Sequence, residues 1–87
     1  MANKINVFNK ANPTPPTTDA FSLFGQALTR ARASAGMTQL ELSKVTHIQQ
    51  GDISRIERGQ SNPSLSTLER LADGMGMKLN IQFISHS

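Results

Sequence analysis

The sequence predicts a mainly α chain, a compact bundle of four short helices followed by one C-terminal β-strand that pairs across a dimer. Three observations predict it. Apolar residues recur at helical spacing in four successive stretches between residues 20 and 76, each closed by a glycine or a tight turn. The period then switches to two over residues 78–83, where Leu79, Ile81 and Phe83 alternate with Lys78, Asn80 and Gln82. Finally, 87 residues with 37% hydrophobic content, four Phe as the only aromatics and no Cys allow a single small aliphatic core. A core of that size is helped by oligomerisation.

Three segments are expected: a tail over 1–19, a helical domain over 20–76, and a strand with its tail over 77–87. In the first, Asn12-Pro13-Thr14-Pro15-Pro16-Thr17-Thr18 favours extended conformations and stops any helix. The apolar island of Ile5, Val7 and Phe8 before it reads either as part of a floppy terminus or as a peptide that docks on a partner. The first helix is expected over 20–35, capped by Asp19 or Thr18, with Phe24, Leu28, Ala31 and Ala35 on one face and Gly36 as its stop. The second opens with Thr38-Gln39-Leu40-Glu41, a capping box in which the Thr38 hydroxyl and the Glu41 carboxylate satisfy each other's backbone amides. Met37 and Leu42 flank it as a hydrophobic staple, and the helix should end near Thr46. A third helix over 50–58 buries Ile53 and Ile56 and stops at Gly59. A fourth, capped by Ser64, carries an apolar stripe of Leu65, Leu68, Leu71, Ala72 and Met75 and ends at Gly76. The strand has no intramolecular partner in view. Pairing with the same strand of a second copy, through Leu79, Ile81 and Phe83, satisfies its backbone.

The charge balance is nine Lys+Arg against six Asp+Glu, net +3, with the excess concentrated in residues 30–58. That suits a polyanion, and a solvated surface accounts for so small an excess about as well. No stretch approaches the roughly 18 apolar residues of a membrane span, and the N-terminus lacks the apolar run of a signal peptide. A cytoplasmic protein with no membrane partner is expected. No nucleophile–base pair, phosphate-binding glycine loop or metal-ligand spacing is present, so neither an enzyme nor a cofactor or metal site is expected.

The stretch from Gln39 to Gly59 is the most informative. Two short helices are joined by a tight turn over an apolar skeleton of Leu42, Ile48, Ile53 and Ile56, with small Ser43 where the helices converge. This is the helix-turn-helix layout, in which the second helix enters the major groove. Met37-Thr38-Gln39, Leu42-Ser43, Ile53-Ser54-Arg55-Ile56-Glu57-Arg58-Gly59 and Asn62-Pro63-Ser64-Leu65 resemble the lambda-repressor-like, Xre-type helix-turn-helix family over residues 21–76. In its compactness and its terminal strand, the chain is also similar to antitoxins of the HipB and HigA kind. It departs from the family in having His47 where glycine usually occupies the turn; His tolerates positive φ better than most residues. Leu40 and Val45 stand where the family is usually polar, as single exposed apolar residues or as part of a partner-binding patch.

The resemblance implies roles for individual residues. Gln39 and the helix N-terminus behind it would meet a phosphate. Gln49, Gln50, Gly51, Asp52 and Arg55 would lie at the base edges. Gln50 suits adenine N6 and N7, and Arg55 suits guanine O6 and N7. Gly51 costs about 1 kcal/mol in helix propensity relative to Ala and permits close approach. Asp52 is open between contact with cytosine N4 and stabilisation of the helix N-terminus. Ser54, Arg58, Ser61 and Asn62 suit the DNA backbone. Arg32 and Glu57 would pair across the first and third helices, where the residues taken alone read equally as two surface charges. The function implied is a homodimeric repressor of an inverted-repeat operator in double-stranded DNA. It would also be the antitoxin of a type II toxin–antitoxin operon, binding a kinase or ribonuclease toxin and repressing its own operon. A free-standing phage or metabolic regulator, or a toxin-neutralising module with secondary DNA binding, are the alternatives.

Overall fold

The computed structural model describes residues 20–85. The expected tail over 1–19 and the Thr18 or Asp19 cap lie outside the described residues. Four helices follow in order: α1 (Ala20–Ser34), α2 (Gln39–Thr46), α3 (Gln50–Glu57) and α4 (Leu65–Gly74).

The helix ends are local events that the chain encodes residue by residue. Thr38 accepts from the Glu41 amide at 3.0 Å while the Glu41 carboxylate accepts from the Thr38 amide at 2.8 Å, completing the capping box of α2. Ser64 caps α4 by accepting from the Thr67 amide at 3.1 Å. Three helices end in the same way, with a glycine in the left-handed region at Gly36, Gly59 and Gly76. At the first of these, the Met37 amide donates to the Arg32 carbonyl and the Gly36 amide to the Ala33 carbonyl, the paired bonds of a Schellman motif. Helix α2 ends on His47 instead, at φ 61°. The turn that follows is tied on both sides of Ile48. Thr46, buried, donates its hydroxyl to the Leu42 carbonyl and accepts from the Ile48 amide, and Ser43 donates to the Ile48 carbonyl at 2.6 Å.

Each helix supplies one fully buried aliphatic side chain to the centre: Leu28, Leu42, Ile53 and Leu71. Burial of each contributes on the order of 1.5–3 kcal/mol. Phe24, Ala27, Ile48, Ile56 and Met75 complete the core, and Met37, Leu68, Met77 and Leu79 pack at its edge. Helix α3 lies against α1 and α2, and α4 closes on α2. Two glycines permit these approaches. A Cβ at Gly25 would stand 2.5 Å from the Glu57 carbonyl oxygen and 2.6 Å from that of Ile56, so α1 meets the backbone of α3 directly. At Gly74 a Cβ would meet the Thr46 methyl at 2.5 Å. Neither requirement is visible without the partner helix.

Two expectations change. Leu65, expected on the buried stripe of α4, is 56% exposed. It is the first residue of the helix, where the core does not cover it, so the stripe begins at Leu68. Residues 77–85 have no regular secondary structure in the single chain. A strand is defined by its ladder, and the described residues supply no partner for one. Leu79 nevertheless packs on the core, while Ile81 is half exposed and Phe83 fully exposed.

The glycines make the packing testable. Gly25→Ala should destabilise the fold by about 1–3 kcal/mol, because backbone atoms of α3 must move to admit the methyl group. A Cβ at Gly51 meets nothing within 4 Å, so Gly51→Ala should instead stabilise by up to about 1 kcal/mol through helix propensity. Urea denaturation of the two variants beside the parent checks both signs.

Candidate nucleic-acid interface

The segment α2–turn–α3 presents one polar edge, because Ile53 and Ile56 commit the opposite side of α3 to the core. Gln49, Gln50 and Gly51 stand exposed at the leading end of α3, and Asp52 is half exposed. Arg55, one turn further on, donates to the Asp52 carboxylate, and both side chains are about half exposed. Arg58 donates to the Ser54 hydroxyl and contacts the Gln60 side-chain oxygen. Asn62 is exposed and Ser61 half-buried in the loop that follows. The residues expected at the base edges therefore run along one helix, from its N-cap Gln49 to Arg55 in its last turn. Of those expected at the DNA backbone, Ser54 lies on the same helix and the rest flank it.

Gln39 makes a contact that the sequence did not predict. Its side-chain amide, expected to point at an anion, donates to the Glu57 carboxylate at 2.9 Å and is half-buried. The second amide hydrogen and the unpaired backbone N–H groups of the first turn of α2 are what this end of the helix offers to an anion. The separation of 18 positions between Gln39 and Glu57 hid this contact.

Glu57 is the centre of the arrangement behind the surface. Arg32 donates Nε to one carboxylate oxygen at 2.7 Å and Nη2 to the other at 3.0 Å, a two-pronged pair across α1 and α3. Its Nη1 donates to the Met37 carbonyl at 2.9 Å. The Glu57 side chain is 6% exposed and that of Arg32 17%. Burial pushes the Glu57 carboxyl up, but the hydrogen bonds from Arg32 and Gln39, together with the Arg32 charge, outweigh it and hold the group below the ordinary glutamate range. The hydrogen bonds that Arg32 donates to the Glu57 carboxylate likewise raise its guanidinium against desolvation. No buried side-chain polar atom among the described residues lacks a partner.

One cation was not singled out from the sequence. Arg70, on α4, lines a polar groove with His47, Gln49, Asp52, Ser61 and Thr67, beside the leading end of α3. In sequence it is one charge of a neutral C-terminal third, and only the packing of α4 brings it to this edge. Among the described residues, no three His, Cys, Asp or Glu are placed to hold a metal ion. No described helix is long and apolar enough to cross a membrane.

The ion pair generates a pH prediction. Glu57 has a lower pKa folded than unfolded, so as pH falls the unfolded chain takes up this proton first. Its contribution is complete above the ordinary carboxylate range and is lost as pH falls through that range towards the depressed value. The stability gap between parent and Glu57→Gln, measured in urea across that interval, should shrink with acidification. Arg32→Met alone strands a buried carboxylate and should cost about 3–5 kcal/mol, more than Arg32→Met combined with Glu57→Met.

Comparison with known proteins agrees with this geometry. A helix-turn-helix family model (HTH_3) matches residues 28–81. The chain is 39% identical over 54 residues to an uncharacterized HTH-type transcriptional regulator of Haemophilus influenzae, covering 62% of this chain and 55% of that protein. It is 34% identical over 56 residues to the immunity repressor protein of Bacillus phage phi105, covering 64% of this chain and 39% of that one. The chain thus spans about half or less of the length of these relatives. Among solved structures, it is similar to the crystal structure of the restriction-modification controller protein C.AhdI from Aeromonas hydrophila. The TM-score is 0.65 at 29% identity, over 67% of this chain and 88% of that one. With its capping box, its tied turn and its polar α3 edge, the chain belongs to the Xre-type helix-turn-helix family.

Proposed function

We propose that the protein is a homodimeric repressor that binds an inverted-repeat operator, with the leading end of α3 in the major groove of each half-site. Gly51 carries this reading. It lies in the first turn of α3, and a side chain there would meet nothing inside the protein. The fold supplies no reason for a glycine that weakens the helix by about 1 kcal/mol. A helix that must lie close against base edges does. Gln49 and Gln50 precede that bare position, Gln50 suited to adenine and Arg55 to guanine. Asp52, already bonded to Arg55, steadies that guanidinium and trims its general attraction to phosphate. Gln39 with the α2 N-terminus, Ser54, Arg58, Ser61 and Asn62 take the DNA backbone, and Arg70 stands beside them.

The dimer in this reading is made by residues 78–83 pairing antiparallel with their symmetry mate, which supplies the ladder that the described residues of one chain lack. The function is binding, in the cytoplasm with the DNA, and not catalysis. Within this class, the names of the relatives, a transcriptional regulator and a phage immunity repressor, together with a restriction-modification controller, favour a free-standing regulator over the antitoxin role implied by the HipB and HigA resemblance.

A dimer should place two α3 helices about 34 Å apart, one turn of duplex. Once an operator is selected from random-sequence DNA, Gln50→Ala or Arg55→Ala should cost roughly 1–3 kcal/mol and relax preference at one position per half-site. Gly51→Ala, folded at least as stably as the parent, should bind the operator more weakly. Arg58→Ala should weaken operator and random DNA alike and flatten the salt dependence. Fluorescence anisotropy on operator and scrambled duplexes reads all four. Equal losses on both duplexes for Gln50→Ala and Arg55→Ala would remove them from base readout.

A further inference from the structure

We infer that Phe83 of a second copy of this chain fills an apolar groove between α1, α4 and the C-terminal segment, and that the exchange is reciprocal. The inference rests on the strand-paired dimer proposed above and adds to it the side chain and the receptor that close it. The groove has a volume of 200 Å3, with walls formed chiefly by Phe21, Phe24, Pro63, Leu68, Leu79 and Ile81. Phe21 and Ile81 are each nearly half exposed, so these apolar walls stand open to water, and Phe83 is completely exposed. A cavity of about 150 Å3 accepts a benzene ring, so this groove has room for a phenyl group.

Strand geometry selects whose ring arrives. In an extended segment, Phe83 lies about 13 Å beyond Leu79, past a wall that Ile81 of the same chain already forms. In a two-fold antiparallel ladder the mate's strand runs the other way, so its end lies beside this chain's beginning. For Leu79, Ile81 and Phe83 of both copies to share one face, the ladder must centre on a residue rather than between two. Centred on Ile81, it sets the mate's Phe83 directly opposite Leu79, with Cβ atoms about 5 Å apart. Centred on Asn80, it sets that Phe83 opposite Met77 and diagonal to Leu79. Both registers deliver the ring to the part of the segment where Leu79 forms the groove wall, and both leave Lys78, Asn80 and Gln82 on the other face. Two-fold symmetry then fills the second groove with the first chain's Phe83.

The test uses the full chain and two variants at opposite ends of the contact. Phe83→Ala removes the ring from a fully exposed position, so the monomer fold is spared. Leu68→Phe fills the groove from within. Sedimentation equilibrium should show a dimer for the parent and a dissociation constant raised roughly tenfold or more for each variant alone. An equimolar mixture of the two variants keeps one intact ring and one open groove, and should associate more tightly than either variant by itself. Isotope-filtered NOEs in a mixed-label parent dimer should link the Phe83 ring of one copy to Leu68 and Leu79 methyls of the other. A parent dimer that Phe83→Ala leaves equally tight overturns the inference while the strand-paired dimer stands. NOEs to the groove from Phe83 of the same copy, or from Ile5, Val7 or Phe8, overturn it in the same way. A parent that stays monomeric at millimolar concentration overturns the dimer reading and this inference together.

Discussion

A carboxylate at the meeting point of three helices sets the geometry of this protein. Glu57 is almost fully buried, and a buried charge persists only where donors surround it. Arg32 reaches it from α1 with two nitrogens, and Gln39 reaches it from the first turn of α2. The remaining arm of Arg32 holds the Met37 carbonyl in the connection between those helices. The same stretch of α3 offers its carbonyls to the bare backbone of Gly25. Aliphatic packing by Leu28, Leu42, Ile53 and Leu71 supplies the bulk of the driving force, but it is non-directional. The hydrogen bonds to Glu57 are directional, and they relate the axis of α3 to the start of α2 and the end of α1.

That relation matters because DNA is read by placement. The face of α3 opposite the core carries small or polar groups at its leading end, and where they stand depends on how the start of α3 is set relative to the first turn of α2. The ties at Ile48 from Ser43 and Thr46 hold the turn between them. A helix pair held by such contacts loses little freedom on binding, so more of its contact energy is expressed as affinity. The cations at the surface are tempered in the same economy of charge. Arg55 is shared with Asp52 and Arg58 with Ser54, which suits a protein that distinguishes sequences over one that binds any polyanion.

The sequence by itself determined what depends on neighbours a few residues apart. The capping box at Thr38 and Glu41, the Ser64 cap, the glycine ends of α1, α3 and α4 and the left-handed His47 are all local, since their partners lie within five residues. So were the buried stripes, because helical periodicity sorts Leu28, Leu42, Ile53 and Leu71 inward whatever they meet there. The exposed group from Gln49 to Arg55 followed from the same periodicity. The tertiary structure decided what depends on another helix. Gly25 and Gly74 look like helix defects until the backbone or side chains pressing on them are present. Gln39 lends one side-chain hydrogen bond to Glu57, Leu65 is exposed at the first position of α4, and Arg70 gains a place beside α3 from the way α4 packs. The strand over 78–83 belongs to neither level within one chain. Alternation marks its apolar face, but a ladder requires a second backbone, and none of the described residues provides it.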